Sequence, residues 1–436
     1  MTRVVLELDP QRLGVGPVSS DIPVLLYGPS TTVPGAGVIG NDLRNRFERL
    51  GVPPSSQAMD LVAVAMAVTA ADTFVLRDEA ADGWRREIEI DLPVVEPDRW
   101  SALEPLLATT LGFLSGDSWS FTFRDGGLQP PSVRDVRHRA AIDPSRVDAI
   151  ALFSGGLDSG LGVLDLLDEG VRPLLVSHAP RGDKTYQSSV ASLLSPLPQR
   201  FEFNSYPSRD GASEITTRTR SFLFLTFAAL VAQAVRSFRG AATIDLFMCE
   251  NGLIALNPPL TARRIGALST RTAHPHYLSL LQQLFDAIDL GVSINNPHRH
   301  ETKGEMLARS VKKQRATAKF ASSTVSCGNW KRKNIQCGRC WPCSIRRSSF
   351  HHAGLVDDTR YETVNLVDAL KEDDYRDDIV SIHTALRRRY ERGLKSWVMQ
   401  SGPLPNDATE RAALYGVVER GMDELESFFA LHGLSV

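Results

Sequence analysis

An apolar strand that runs directly into two glycines and a helix restricts most strongly how this chain can fold. Ala149–Phe153 is apolar, Ser154-Gly-Gly-Leu-Asp-Ser159 follows at once, and Leu161–Leu167 has a helical pattern. Glycines allow an anion to approach the backbone, and a helix N-terminus offers free N–H groups and a positive dipole end. The segment predicts a phosphate-binding turn, with an ordinary strand-to-helix turn as the alternative.

Short apolar runs alternate with helical segments beyond this turn. Pro173–Ser177 and Thr243–Cys249 are typical of buried strands, and Phe222–Val235 is typical of a long apolar helix. Continuous apolar strands separated by helices indicate a parallel sheet covered on both faces. We therefore expect an α/β fold for residues 141–352.

The flanking regions have different patterns. Residues 1–140 predict an N-terminal α+β domain, with possible docking of a partner or substrate, and residues 129–139 read as a linker. Residues 353–436 predict a C-terminal helical region. The expected elements are strands at Val4–Leu8, Trp84–Leu92 and Trp119–Phe123, and helices at Gln57–Ala71, Asp377–Val398 and Thr409–Leu431.

The charge of the chain is nearly balanced but unevenly distributed. The net charge of -2 gives no general attraction to nucleic acid or anionic membranes, so neither is an expected partner. Residues 299–347, however, hold 13 Lys and Arg against two Glu. This basic stretch is either a solvated face or a surface for phosphates or an acidic partner.

Cysteine usage and the N-terminus predict a cytoplasmic protein. Residues 1–12 contain an acid and a proline where a signal peptide needs its apolar stretch, and no membrane-spanning segment is predicted. Four of the five cysteines fall within 17 residues, which in a reducing compartment indicates a metal rather than disulfides.

The glycine turn supplies the candidate nucleotide-binding residues. Its hydroxyls can donate to phosphate oxygens, and its aspartate can hold the Mg²⁺ that accompanies a polyphosphate. The set is Ser154, Gly155, Gly156, Leu157, Asp158 and Ser159.

Glu250 and Asn251 follow the predicted strand Thr243–Cys249. Because ligands of open α/β sheets bind outside the carboxyl ends of the strands, both are candidates for contact with substrate or Mg²⁺. A turn-forming role is the alternative.

Cys327, Cys337, Cys340 and Cys343 form the cysteine cluster. Four thiolates at short spacing suit a closed, tetrahedral and structural Zn²⁺ site. An iron–sulfur cluster and reactive thiols for sulfur transfer are the alternatives.

The segment Ser154–Ser159 resembles the SGGxDS pyrophosphate loop of the PP-loop ATP pyrophosphatases. The resemblance implies the adenine nucleotide alpha-hydrolase-like fold and the use of ATP with Mg²⁺. It also implies cleavage between the α- and β-phosphates, with AMP transferred to an oxygen of the substrate.

The cysteine segment narrows the resemblance. Ser326–Arg347 is similar to the zinc motif of the 7-cyano-7-deazaguanine synthases (QueC), with nine residues between the first two cysteines. Arg220 falls where that family begins a helix with Arg, and Lys303 where it has a Lys-x-Glu segment. The resemblance therefore implies catalytic roles for Arg220 and Lys303 beside Asp158. Ser177–Gly182 departs from the family pattern.

The implied reaction is adenylation of a 7-carboxy-7-deazaguanine-like carboxylate, followed by attack of a nitrogen nucleophile. Ammonia would give an amide and then a nitrile, whereas a protein amine would give a conjugate. The long extensions resemble the defence-associated QatC-like subfamily, which implies a bacterial anti-phage system and a protein acceptor or partner. The alternatives are tRNA thiolation, with Cys249 as the remaining thiol, and a non-catalytic nucleotide-binding scaffold.

Overall fold

The computed structural model describes residues 1–14, 21–31, 33–178, 183–215, 217–261, 271–330 and 334–434. Within these residues the strands are β1 (Thr2–Glu7), β2 (Ile22–Leu26), β3 (Gly37–Ile39), β4 (Glu87–Val94), β5 (Ser118–Asp125), β6 (Ala149–Leu152), β7 (Pro173–His178), β8 (Arg200–Phe203), β9 (Ile244–Phe247) and β10 (Val292–Asn295).

The described α-helices follow in chain order. They are α1 (Leu43–Glu48), α2 (Ser56–Phe74), α3 (Pro97–Ser115), α4 (Val133–Arg139), α5 (Leu157–Asp168), α6 (Asp183–Ala191), α7 (Arg220–Arg239), α8 (Gly252–Leu256), α9 (Pro275–Ala287), α10 (Lys303–Lys312), α11 (Ala318–Ser323), α12 (Trp341–Ala353), α13 (Leu366–Ala369), α14 (Asp373–Arg392), α15 (Leu394–Val398) and α16 (Ala408–Leu431).

The second sheet confirms the predicted parallel α/β fold. Its strand order is β10-β9-β6-β7-β8, and every pairing is parallel. The chain moves outward from β6 in one direction through β7 and β8, and then returns to the other side of β6 through β9. This reversal between β6 and β9 leaves a crevice at the carboxyl ends of the strands, which is where open α/β sheets bind ligands.

The N-terminal sheet is also parallel, in the order β3-β2-β1-β4-β5, which differs from the expected α+β arrangement. Helices α2 and α3 pack against this sheet. The other face carries ion pairs, in which Asp91 binds Arg3 and Arg124 at 2.5 Å each. The alternation of apolar and polar residues, usual for antiparallel strands, here comes from a parallel sheet with one ionic face.

Helices α2 and α7 pack against each other and join the two sheets in one hydrophobic core. Both are long and apolar enough to cross a membrane, but 94% and 78% of their apolar windows are buried within the protein. A helix that is apolar on all sides suits the centre of a large core. This burial accounts for their composition.

Two sequence predictions were wrong in detail. Val133–Arg139 is a helix, because the Ser132 hydroxyl accepts from the Asp135 N–H at 3.2 Å and Val136 is fully buried. The predicted helix Asp377–Val398 begins earlier, at Asp373, and is divided at Gly393. Gly393 has φ +80°, a conformation that glycine adopts readily and that ends the helix.

Asp72 on α2 attaches the N-terminal region to the start of α7. One carboxylate oxygen accepts the N–H groups of Arg218 at 2.7 Å and Thr219 at 2.8 Å, and also the Thr219 hydroxyl at 2.8 Å. The other oxygen pairs with Arg86 at 2.5 Å. Asp72 is fully buried, so it holds the two residues that precede α7 without competition from water.

Asp72→Ala should lower the free energy of unfolding by about 3–5 kcal/mol, because it leaves two buried N–H groups without their acceptor and removes one of the two carboxylates that neutralise Arg86. Urea unfolding followed by circular dichroism measures this change. Asp78→Ala, at an exposed aspartate shortly after the same helix, is the matched control and should stay within about 0.5 kcal/mol of wild type. Equal unfolding midpoints for the two variants would contradict the assignment.

Candidate active site

The glycine turn forms a compact loop between β6 and α5. Gly155 has φ +74°, and a Cβ at this position would lie 2.8 Å from the Tyr186 ring. The Ser154 and Ser159 hydroxyls lie 3.1 Å apart. The Gly155 carbonyl accepts the N–H of Val325 at 3.1 Å. The loop is therefore held by its own hydroxyls and by the segment that precedes the cysteine cluster.

Asp158 lies in the first turn of α5, buried behind the loop. Its Oδ1 lies 3.0 Å from Lys303 Nζ, and its Oδ2 accepts the side-chain amide of Asn251 at 2.6 Å. Burial alone would raise the pKa of Asp158, but the Lys303 ammonium and the side chains of Glu250 and Asn251 lower it to about 2. Asp158 is therefore a carboxylate at neutral pH.

Glu250, three residues after the end of β9, is the second acid at this point. Burial and the adjacent Asp158 carboxylate raise the pKa of Glu250 well above its usual range, although the Lys303 ammonium opposes the shift. The two acids hydrogen bond to each other through their side chains. Because two neighbouring carboxylates cannot both ionise cheaply, Asp158 takes the charge and Glu250 keeps the proton.

Asn251 and Leu157, two further predicted nucleotide-binding residues, are fully buried. Asn251 is fully buried, its Oδ1 caps α8 by accepting the Ile254 N–H at 3.1 Å, and its amide donates to Asp158. The Leu157 side chain belongs to the hydrophobic core. Leu157 can therefore contact a phosphate only through its backbone N–H at the N-terminus of α5. Asn251 thus combines the turn-forming role with the positioning of Asp158.

Lys303 is the first residue of α10, and 5% of its surface is exposed. Thr302 and Glu305 form a capping box, with the Thr302 hydroxyl accepting the Glu305 N–H at 3.0 Å. This box determines where the helix begins. It therefore determines the direction from which the Lys303 ammonium reaches Asp158.

A cavity of about 360 Å³ opens at the carboxyl ends of β6, β7 and β9, and we name it the switch-point cavity. Ser154, Ser159 and Glu250 line one side, and Arg220, at the start of α7, lines another. The cavity is also lined by residues that were not selected as candidates from the sequence, namely His178, Asp183, Tyr186, Gln187 and Phe224.

An aromatic pair forms part of this cavity. The His178 and Phe224 rings are stacked with centroids 4.8 Å apart, and the Arg220 guanidinium lies 5.6 Å from the Phe224 ring centre. A flat ring and a cation together suit a planar, anionic ligand. The signal in the sequence was the departure at Ser177–Gly182, of which residues 179–182 lie outside the described part of the chain.

The donor set of Asp158 and Glu250 fits Mg²⁺. Both are oxygen ligands, Asp158 is ionised, and Glu250 holds a proton that a divalent cation can replace. Bound there with ATP, Mg²⁺ would neutralise charge on the phosphates.

The four thiols of the cysteine cluster are buried, and their Sγ atoms all lie within 4.8 Å of one another. Tetrahedral zinc with Zn–S bonds of about 2.3 Å needs sulfur atoms about 3.8 Å apart, and Cys337 and Cys343 are 3.9 Å apart. Backbone N–H groups of Asn329 and Cys337 point to Cys327 Sγ at 3.3 Å. The arrangement can hold a metal such as zinc in a closed site.

The cysteine cluster is connected to the glycine turn. The Gln336 side chain, next to Cys337, accepts the Ser326 N–H and donates to the Thr324 carbonyl, both at 3.0 Å. These bonds hold the segment in which Val325 binds Gly155. The cluster thus stabilises one side of the loop.

Much of the basic stretch 299–347 is either buried or paired with acidic side chains. Lys303, Arg339, Arg346 and Arg347 are buried. Arg309 pairs with Asp165 at 2.6 Å, and other cations of the stretch pair with Asp168, Glu362 and Glu410. Residues 331–333 lie outside the described part of the chain. These pairings leave less of a basic surface than the sequence count suggested.

Three curated proteins named 7-cyano-7-deazaguanine synthase are similar to parts of this chain. The protein from Thiobacillus denitrificans is 38% identical over 68 residues, which is 16% of this chain and 29% of the relative. The protein from Paracoccus denitrificans is 35% identical over 91 residues, which is 20% of this chain and 36% of the relative. The protein from Syntrophobacter fumaroxidans is 26% identical over 149 residues, which is 33% of this chain and 54% of the relative.

The chain thus spans between 29% and 54% of the length of these relatives. No protein-family model matches it. The partial similarities support a relationship with the QueC-like family, and hence with an ATP-dependent synthase or ligase type of enzyme.

Gly155→Ala should weaken ATP binding at least tenfold, because the new methyl group meets the Tyr186 ring and displaces the loop. Isothermal titration with ATP measures this. Gly170→Ala is the matched control: its φ is +78°, but a Cβ there meets nothing within 4 Å. It should carry only the backbone strain, about 1–2 kcal/mol of stability, and leave ATP binding unchanged. Equal losses of affinity would show that the Tyr186 contact is irrelevant.

Metal analysis should return one zinc per chain, and Cys343→Ser should remove it, because the remaining three thiols do not close the site. The loss of zinc should also weaken ATP binding through Val325 and Gly155. Cys249→Ser, outside the cluster, should keep its zinc. Iron, or less than one metal per chain in the wild type, would overturn the assignment.

Proposed function

We propose that this protein uses ATP to adenylate a carboxylate of the 7-carboxy-7-deazaguanine type and then transfers the acyl group to a nitrogen nucleophile. The observation that carries the proposal is the buried Asp158–Lys303 pair directly behind the glycine turn. It lies next to Ser159 and Glu250, which line the switch-point cavity. The partial similarity to 7-cyano-7-deazaguanine synthases supports the substrate class.

In the proposed complex the glycine turn receives the β- and γ-phosphates of ATP. The first N–H groups of α5 and the hydroxyls of Ser154 and Ser159 donate to their oxygens. Asp158 and Glu250 would supply oxygen ligands for Mg²⁺, which would neutralise charge on the phosphates. The carboxylate substrate then occupies the part of the cavity that Arg220 and the His178–Phe224 pair line.

The first step forms a bond between a substrate carboxylate oxygen and the α-phosphorus, and breaks the α–β phosphoanhydride bond. Pyrophosphate leaves into the turn, and the substrate becomes an acyl-adenylate. Lys303 and Arg220 are the cations proposed to stabilise the charge that develops on the phosphate oxygens. Lys303 already lies 3.0 Å from Asp158, so its ammonium is held in place before the substrate arrives.

In the second step the nitrogen nucleophile attacks the acyl carbon and AMP leaves. Ammonia would give an amide, and a second activation a nitrile. A protein amine would give a base–protein conjugate. The resemblance to long, defence-associated members of the family favours a protein amine as the acceptor and a role in anti-phage defence. Both extensions also pack into the hydrophobic clusters of the fold, so docking is not needed to explain them.

The thiolation alternative receives less support. It needs a reactive thiol near the turn, and Cys249 is buried, where its surroundings and the nearby acids Asp165 and Asp158 raise its pKa. A thiol that resists ionisation is a poor carrier of persulfide. The scaffold alternative is disfavoured by the intact set of turn, acids and Lys303.

Lys303→Gln should reduce pyrophosphate release from ATP and 7-carboxy-7-deazaguanine by about 10²–10³-fold, because it removes the ammonium near the α-phosphate. Coupled detection of pyrophosphate and chromatography of AMP measure the reaction. Lys312→Gln, at an exposed lysine at the other end of α10, is the matched control and should match wild type.

Asp158→Asn should reduce pyrophosphate release by about as much as Lys303→Gln. The midpoint of thermal unfolding of each variant distinguishes a catalytic loss from misfolding. Release of ADP in place of AMP, or no turnover of any carboxylate with ammonia or with co-purified proteins, would refute the proposal. Intact-mass analysis of those proteins decides the acceptor: a deazaguanine-sized adduct indicates conjugation.

A further inference from the structure

The C-terminal helix α16 brings one carboxylate to the N-terminus of α10, the helix that begins with Lys303. Glu424 is 7% exposed. Its carboxylate accepts the Thr302 hydroxyl and the backbone N–H of Gly304. Glu424 therefore binds the residues directly before and after Lys303 in the sequence.

The packing at this contact depends on a glycine. A Cβ at Gly304 would lie 2.5 Å from three atoms of the Glu424 carboxyl group. Helix α10 therefore has its least bulky residue where the carboxylate of α16 arrives, although alanine is the better helix former. The absence of a side chain lets the acid reach the N–H groups of the first turn.

Charged or titratable side chains from three helices face Glu424. The pKa of Glu424 is raised to about 7, mainly by burial and also by the nearby Glu305 carboxylate. The hydrogen bonds from the Thr302 hydroxyl and the Gly304 N–H, together with the charge of Arg420, oppose this shift. The Nδ1 atom of His352, on α12, lies 3.7 Å from Oε1 of Glu424. Glu424 consequently changes its charge near neutral pH, at a helix N-terminus that favours the ionised form.

We propose that Glu424 is a positioning residue for Lys303: by accepting from Thr302 and Gly304, it holds the first turn of α10 so that the Lys303 ammonium meets Asp158. The inference rests on the proposed function in one respect, the catalytic role of Lys303. It also assigns the C-terminal extension a part in the reaction, since α16 supplies the carboxylate.

The physical reason is the double use of the Thr302 hydroxyl. It accepts the Glu305 N–H at 3.0 Å in the capping box and donates its own proton to Glu424. Without Glu424 the hydroxyl has to turn toward another acceptor, and the cap loses its fixed orientation. Lys303 is the next residue, so a displaced cap moves the ammonium directly.

The test compares the pH profiles of pyrophosphate release for wild type and Glu424→Gln. Above pH 8, where wild-type Glu424 is ionised and accepts strongly, we expect the variant to lose about tenfold in kcat with KM for ATP unchanged. At pH 6, where wild-type Glu424 is protonated, the two should agree within about twofold. Glu426→Gln, on the same helix but paired with Arg389, is the matched control and should follow wild type.

A loss of the same size at every pH would show that Glu424 only supports packing and would overturn the inference, as would no loss at all. Either result leaves the proposed function intact, since wild type still releases pyrophosphate. If wild type releases none, the proposed function fails instead. Hydrogen exchange of residues 302–308 then tests the inference separately: faster exchange in Glu424→Gln supports it, and unchanged exchange overturns it.

A second pair of variants guards against misfolding. Gly304→Ala should be destabilising in wild type, because the methyl group meets the Glu424 carboxyl group. In the Glu424→Ala background the same substitution should be neutral or stabilising, since the space is then open and alanine favours the helix. Additive effects in thermal unfolding would contradict the contact.

Discussion

The buried pair of Asp158 and Lys303 is the interaction on which the candidate site depends. A carboxylate enclosed by protein is expensive to keep charged unless a cation and hydrogen-bond donors surround it. Lys303 supplies the cation from the start of α10, and Asn251 supplies the amide from the N-cap of α8, which follows β9. The turn, the strand end and the helix are thereby brought to one point beside the switch-point cavity.

Three parts of the chain outside the central sheet hold this arrangement. Asp72 of the N-terminal region binds Arg218 and Thr219, which directly precede α7 and its first residue, Arg220. The segment before the cysteine cluster binds Gly155 through Val325. Glu424 of the C-terminal helix contacts the first turn of α10. Each extension therefore reaches the site through a helix N-terminus or the glycine turn, where unpaired backbone groups are available.

The strands, the long helices and the parallel central sheet could be predicted because they depend on local periodicity. The apolar run at Ala149–Phe153, the glycine pair and the helix behind them allow one arrangement. Prediction failed where a local pattern has two meanings. The alternation in β4 suited an antiparallel strand as well as a parallel one with an ionic face, and the short helix Val133–Arg139 resembled a polar linker.

By itself the sequence determined the glycine turn and the four clustered thiols, since each depends on residue type and spacing. Lys303 and Arg220 were selected only because their segments resemble those of a known family. Only the tertiary structure decided that Asp158 is ionised while Glu250 keeps its proton, and that Glu424 lies against Gly304. The reason is that a pKa and a packing contact depend on neighbours in space. Those neighbours come from segments more than 90 residues apart in the chain.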